Sequence, residues 1–172
     1  PQQIVRIIAA FKKARQNVLC TRATREMYSA VRKAHPRAVF HEAARMISLD
    51  VVARPKAAGR VSVVCAGTSD IPVAEEAALT AEWMGARVER ITDVGVAGLH
   101  RVLHKKHLLE KARVIIVIAG MEGALASVVS GLGINVAGTL EAITALPDTV
   151  TLAFAPYGDS LERTVGSARA EG

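Results

Sequence analysis

The chain has 172 residues, 51% of them apolar and only 3% aromatic, with a formal charge of +6 at neutral pH. That length suits one domain, or one with a small appendage. No apolar run nears the ~20 residues of a membrane span, and no signal-peptide pattern opens the chain. The core this composition predicts is packed by Val, Ala, Ile and Leu, as in parallel sheets covered by helices. Cys20 and Cys65 lie in strand-like runs and form no C-x-x-C pair, which argues against a disulfide scaffold or a zinc site and leaves a reducing cytoplasm as the expected compartment. The positive charge would attract phosphorylated ligands. Without an aromatic stacking platform or a recognisable motif, neither nucleic acid nor membrane is the expected partner. Pro1 falls inside an apolar-periodic segment, so the chain is expected to lack its natural beginning.

In chain order, residues 2–15 read as a helix with Ile4, Ile7, Ile8 and Phe11 on one face and Arg6, Lys12, Lys13 and Arg15 largely on the other. Residues 17–21 are strand-like, 24–34 a second helix ending near Pro36, and 38–40 and 46–52 short strands around a turn. This small α/β piece occupies residues 1–53. Residues 54–60, polar and carrying both Pro and Gly, read as a linker. The main domain, 61–172, opens with a β-branched run over 61–66 that reads as a strand buried on both faces. A polar turn follows, then a helix with Pro72 in its first turn, Ala77, Ala78, Ala81 and Met84 at helical spacing, and Gly85 as its stop. Residues 87–92 alternate and end at Asp93. A helix over 97–109 presents Leu99, Val102, Leu103 and Leu109. Residues 114–119 form another buried strand, closed by Gly120-Met121-Glu122-Gly123 and a small-residue helix over 124–130. Beyond Leu132 the pattern allows a helix over 139–146, a strand over 149–155, a turn over 156–159 and a helical tail over 161–172.

Three strand–turn–helix units in succession predict right-handed crossovers and a parallel sheet. The turns around Asp70, Asp93 and Glu122 must then share the carboxyl edge, where such sheets bind ligands. Gly67-Thr68-Ser69-Asp70 offers hydroxyls, backbone N–H groups and a carboxylate at a helix start, suited to phosphate; Asp70 either caps the helix or accepts from a ribose hydroxyl. It is neither a P-loop nor G-x-G-x-x-G. Asp93 and Glu122 end strands in apolar surroundings, where desolvation can raise a carboxyl toward proton-transfer range; their plainer roles are a turn residue and a dipole-stabilising acid. Arg101 is placed to reach a phosphate. His100, His104 and His107 lack a supporting acid and read as a solvated basic face. Cys65 reads as a small buried hydrophobe.

AGTSDIPVAEEAALTAEWMG, RVERITDVGVAGLHRVL and RVIIVIAGMEGALASVVSGL closely resemble the carboxylases that start nickel-pincer nucleotide biosynthesis, relatives of aminoimidazole ribonucleotide (AIR) carboxylase. The resemblance is dense over residues 59–132, and residues 1–52 look like the second part of that family's N-terminal region. It implies a three-layer α/β fold with a mostly parallel sheet of the AIR-carboxylase type, and a homo-octameric assembly. It implies carboxylation of the pyridinium ring of nicotinic acid adenine dinucleotide, with CO2 or bicarbonate as co-substrate and hydrolysis of the phosphoanhydride to release AMP. On these motifs Asp70, Asp93 and Glu122 fall on catalytic positions, and Gly67, Thr68, Ser69, Arg101, Gly120 and Gly123 on substrate-binding ones. No metal ligands are assigned, and magnesium is left as an open alternative. After Leu132 the family's cysteine-bearing close has no counterpart, and neither Cys20 nor Cys65 matches that position. A nucleotide-binding oligomer without the nucleophile is therefore the second expectation. A purine-pathway AIR carboxylase is the third, disfavoured because VAGLHR replaces that family's SAHR-type loop.

Overall fold

The computed structural model describes residues 2–54, 59–120, 123–132 and 134, together with the backbone of 151–154. The described elements form two sheets, a three-stranded one near the start of the chain and a four-stranded one after the linker.

The first unit is held by two amphipathic helices. Helix α1 (Gln2–Lys13) buries Ile8 completely, with Ile4 and Val5 partly covered. Ile7 and Phe11, expected on the same covered face, are 46% and 42% exposed. Strands of three or four residues are too short to cover the whole stripe. Helix α2 (Arg25–Ala34) starts where Thr24 Oγ1 accepts the Met27 N–H at 3.2 Å, an N-cap that satisfies an otherwise orphaned donor. Strands β1 (Val18–Cys20) and β2 (Val39–His41) flank β3 (Met46–Leu49), both antiparallel to it. Every residue of β3 is buried, as befits a central strand. Asn17 Oδ1 accepts the Val51 and Val52 N–H groups at 2.7 and 2.8 Å and ties off the chain leaving β3.

In the main domain β4 (Arg60–Cys65), β5 (Arg87–Ile91), β6 (Val114–Ile118) and β7 (Thr151–Phe154) form a parallel sheet in the order β5-β4-β6-β7. Alternating side chains of β4 and β6 serve two cores. Val63, Cys65, Ile116 and Ile118 meet Ala74 and Ala78 of α3 (Ile71–Trp83) on one face. Val64, Ile115 and Val117 meet Val102 and Leu109 of α4 (Leu99–Leu109) and Leu125 and Val129 of α5 (Ala124–Gly131) on the other. Helices on both sides of a parallel sheet make the three-layer α/β architecture that the β-branched strands called for.

Two expected core positions of α4 lie outside. Leu99 and Leu103 are 43% and 47% exposed, because the buried line of α4 runs through Val102 and Leu109 and these two fall to its flank. Met84, expected to follow Ala81 inward, is 75% exposed; it is the C-cap of α3, and the chain turns away at Gly85 with φ +90°.

At the junction, the Arg54 guanidinium pairs with both Asp50 oxygens at 2.7 and 2.8 Å and lies 4.1 Å from the Trp83 ring centroid. Within the expected linker, Arg60 already belongs to β4, and residues 55–58 lie outside the described residues, as do the expected helix at 139–146, turn at 156–159 and tail at 161–172. The strand expected over 149–155 is present as β7. Among the described residues no helix is long and apolar enough to cross a membrane.

Candidate functional site at the carboxyl edge of the parallel sheet

Three turns leave the carboxyl ends of β4, β5 and β6. The first, residues Thr68–Asp70, is a single 3-10 turn that runs directly into α3. Asp70 is 5% exposed. Its Oδ2 accepts the Gly67 N–H at 3.0 Å, and its Oδ1 accepts the Gly120 N–H, also at 3.0 Å, from the turn after β6. One carboxylate thus fastens the first turn to the third. It is the carboxylate that lies buried, and its charge would be costly to leave without these two donors. At the start of α3 Asp70 makes no side-chain cap bond; its carboxylate is a staple between turns, and the Gly67 and Gly120 amides face Asp70 itself. Thr68 and Ser69 are exposed, and their hydroxyls make no hydrogen bond to another described residue.

The second turn is drawn against the first. The Val94 N–H donates to the Cys65 carbonyl at 3.3 Å, and a Cβ on Gly95 would stand 3.2 Å from the Ala66 carbonyl oxygen. Asp93 holds the left-handed conformation, φ +58°, which aspartate tolerates better than most residues. Its carboxylate accepts from Arg101 Nη1 at 2.6 Å. Arg101 folds back over the short Val96–Gly98 turn so closely that a Cβ on Gly98 would lie 2.5 Å from Nε. That Nε is shielded from solvent and has no hydrogen-bond partner among the described residues. The missing Cβ of Gly98 is therefore what seats the guanidinium.

The third turn contributes Gly120 and Gly123, the latter at φ +65° immediately before α5. Met121 and Glu122 lie outside the described residues, so the expected acid there has no described geometry. The topology nevertheless brings Asp70, Asp93 and both glycines of the third turn to one edge, as three parallel crossovers require.

The apolar surroundings expected for Asp93 are absent: its side chain is 73% exposed and paired with Arg101. Asp70 is the buried carboxylate, but two amide donors already fill its oxygens, a setting that does not suit a cation. No cluster of three or more His, Cys, Asp or Glu among the described residues could hold a metal. His100 and His104 meet edge to face at 6.2 Å on the exposed side of α4. Cys65 is fully buried behind the first turn, its Sγ 3.9 Å from the Gly67 carbonyl. Burial, more than any neighbour, pushes its thiol up from its ordinary value, as expected of a small core hydrophobe. Two participants escaped the sequence reading, Gly95 and Gly98. Their only signal was a pair of glycines three positions apart in the turn, which fits a flexible loop as well as it fits close approach.

Comparison with known proteins gives two likenesses. Residues 1–51 match the family model of the LarB/PurE-like N-terminal domain. A stretch of 79 residues is 51% identical to an uncharacterized protein of Methanocaldococcus jannaschii, covering 45% of this chain and 31% of that protein. The chain thus spans about a third of the length of the curated relative it matches.

Proposed function

We propose, on the premise that this chain belongs to the LarB/AIR-carboxylase-related family, that its carboxyl edge binds nicotinic acid adenine dinucleotide and carboxylates the pyridinium ring. The match of residues 1–51 to a LarB/PurE-like N-terminal domain supports a carboxylase-related enzyme; the substrate, the AMP-releasing hydrolysis and the octamer are our reading. The observation that carries it is the gathering of three turns on one edge, the first and third fastened by Asp70 and the second drawn in through Val94, with Arg101 seated on Gly98 beside them.

In this reading Asp70 holds the frame, and the Thr68 and Ser69 hydroxyls and the Arg101 guanidinium meet the phosphates. A phosphate replaces or joins Asp93 on Arg101, since a guanidinium presents a fork of donors and Asp93 engages Nη1 alone. Ring carboxylation makes a C–C bond from CO2 or bicarbonate and removes one ring proton. Phosphoanhydride cleavage breaks a P–O bond with the entry of water. A carboxylate must take the proton or orient the water, and Asp93 and Glu122 are the proposed groups.

A second reading has its own observation. A cationic ring must be made electron-rich by a nucleophile before it meets an electrophilic carbon. The chain after Leu132 contains no cysteine, and burial raises the thiols of both Cys20 and Cys65 away from the reactive thiolate. The same edge would then bind the dinucleotide without altering it. Incubation with nicotinic acid adenine dinucleotide and 13C-bicarbonate, read by mass spectrometry, separates the two. A labelled, carboxylated mononucleotide together with AMP is expected for the enzyme. Unaltered dinucleotide that co-purifies with the protein overturns carboxylation and leaves the binder.

A further inference from the structure

The opposite edge of the same sheet holds a polar cavity. It lies at the amino ends of β4 and β5, under the C-terminal turn of α4, with a volume of about 230 Å³. Arg60, Arg87 and Lys111 line it together with Ser62 and Glu89. Arg60 and Arg87 are register partners on adjacent parallel strands, and Ser62 and Glu89 are the next such pair on the same face. Ser62 is 1% exposed, the floor of the cavity where the apolar core gives way to polar groups.

Two features of this cluster call for an anion. Like charges placed side by side on neighbouring strands repel, and Arg60 stands directly beside Arg87. None of the three cations makes an ion pair with another described residue. Lys111 can answer the last carbonyls of α4, where a cation is favoured, but the two arginines begin strands rather than end helices. Three cations face one carboxylate, so a dianion balances the cavity where a monoanion does not.

We propose that the amino edge of the parallel sheet is a second oxyanion pocket, one that takes a phosphate dianion, free or as the monoester of a small molecule. The two arginines would grip its oxygens and Ser62 would donate from the floor. This inference is independent of the reading of the carboxyl edge.

The test is an amide NMR titration of the full chain with inorganic phosphate at constant ionic strength. Saturable shifts are expected at Arg60, Ser62 and Arg87. Arg60→Gln and Arg87→Gln, both at exposed positions whose folding is checked by circular dichroism, should each weaken binding about tenfold, the scale of one lost charged hydrogen bond. Arg101→Gln should leave these shifts intact, which separates this pocket from phosphate bound at the carboxyl edge. A parallel titration with glycerol phosphate distinguishes the two sources: tighter binding assigns the pocket to a monoester, equal or weaker binding to the free ion. Absence of saturable shifts at these amides, or shifts indifferent to both arginine substitutions, overturns the proposal.

Discussion

The two sheets use their polar side chains differently. In the antiparallel unit these groups finish elements: Thr24 caps α2, Asn17 ties off the chain after β3, and Asp50 holds Arg54 at the exit. In the parallel domain they join one turn to another: Asp70 reaches 50 positions along the chain to Gly120, and Asp93 holds Arg101 across the second turn. Charge divides along the same line. Residues 1–54 carry 11 Lys or Arg against 3 Asp or Glu, and the remainder carries 11 against 13. The basic character of the whole chain therefore resides in the unit without the candidate site. Phosphate recognition in the main domain has to be local, built on particular guanidinium and hydroxyl groups, and cannot come from a general positive field.

Breaking the staple should produce the largest effect. Asp70→Ala leaves the Gly67 and Gly120 amides without acceptors and is expected to cost about 3 kcal/mol in denaturant unfolding. Asp50→Asn, which removes a half-exposed ion pair in the other unit, should cost less than about 1 kcal/mol. Equal losses from the two would erase the contrast between a carboxylate that joins turns and one that finishes an element.

A smaller effect sharpens the account of Arg101. Gly98→Ala puts a methyl group into the seat of a flexible side chain. The guanidinium should swing away at little cost to stability, with dinucleotide binding weakened about tenfold, the scale of one lost charged hydrogen bond. Calorimetric titration beside a thermal melt checks it; a large stability loss with unchanged affinity would make Gly98 structural only.

The smallest expected effect belongs to the antiparallel unit. Burial, aided by Arg54, holds the His41 imidazole below its ordinary 6.5 against the opposing pull of Glu82 and Glu75, and its Nε2 lies 2.8 Å from Ser48 Oγ. The unfolded chain takes up the proton first, so stability should fall as pH drops through about 6.5 and level off once the folded imidazole is protonated too. Denaturant midpoints between about pH 8 and pH 5 should show this step in the wild type and not in His41→Gln.

Much of this was legible in the residues. The β-branched runs over 61–66 and 114–119, the Gly stops and the Pro72 helix start reproduce β4, β6 and α3 almost to the residue, because periodicity and backbone chemistry act over a few neighbours. The turns around Asp70 and Asp93 share the carboxyl edge as expected, since parallel crossovers leave no other choice. The exposure of individual side chains was less legible. Leu99, Leu103, Met84, Ile7 and Phe11 carry an apolar signal that does not say how wide a face the neighbouring layer covers.

What the sequence by itself determined is the kind of protein: a parallel sheet between helices, a small unit before it, and acid-bearing turns on one edge. Only the tertiary structure decided what those acids do. Whether Asp70 meets a ligand or a backbone amide depends on where Gly120 arrives, and whether Arg101 has a seat depends on the methyl group that Gly98 lacks. Those are distances between segments far apart in the chain, and no local pattern encodes them.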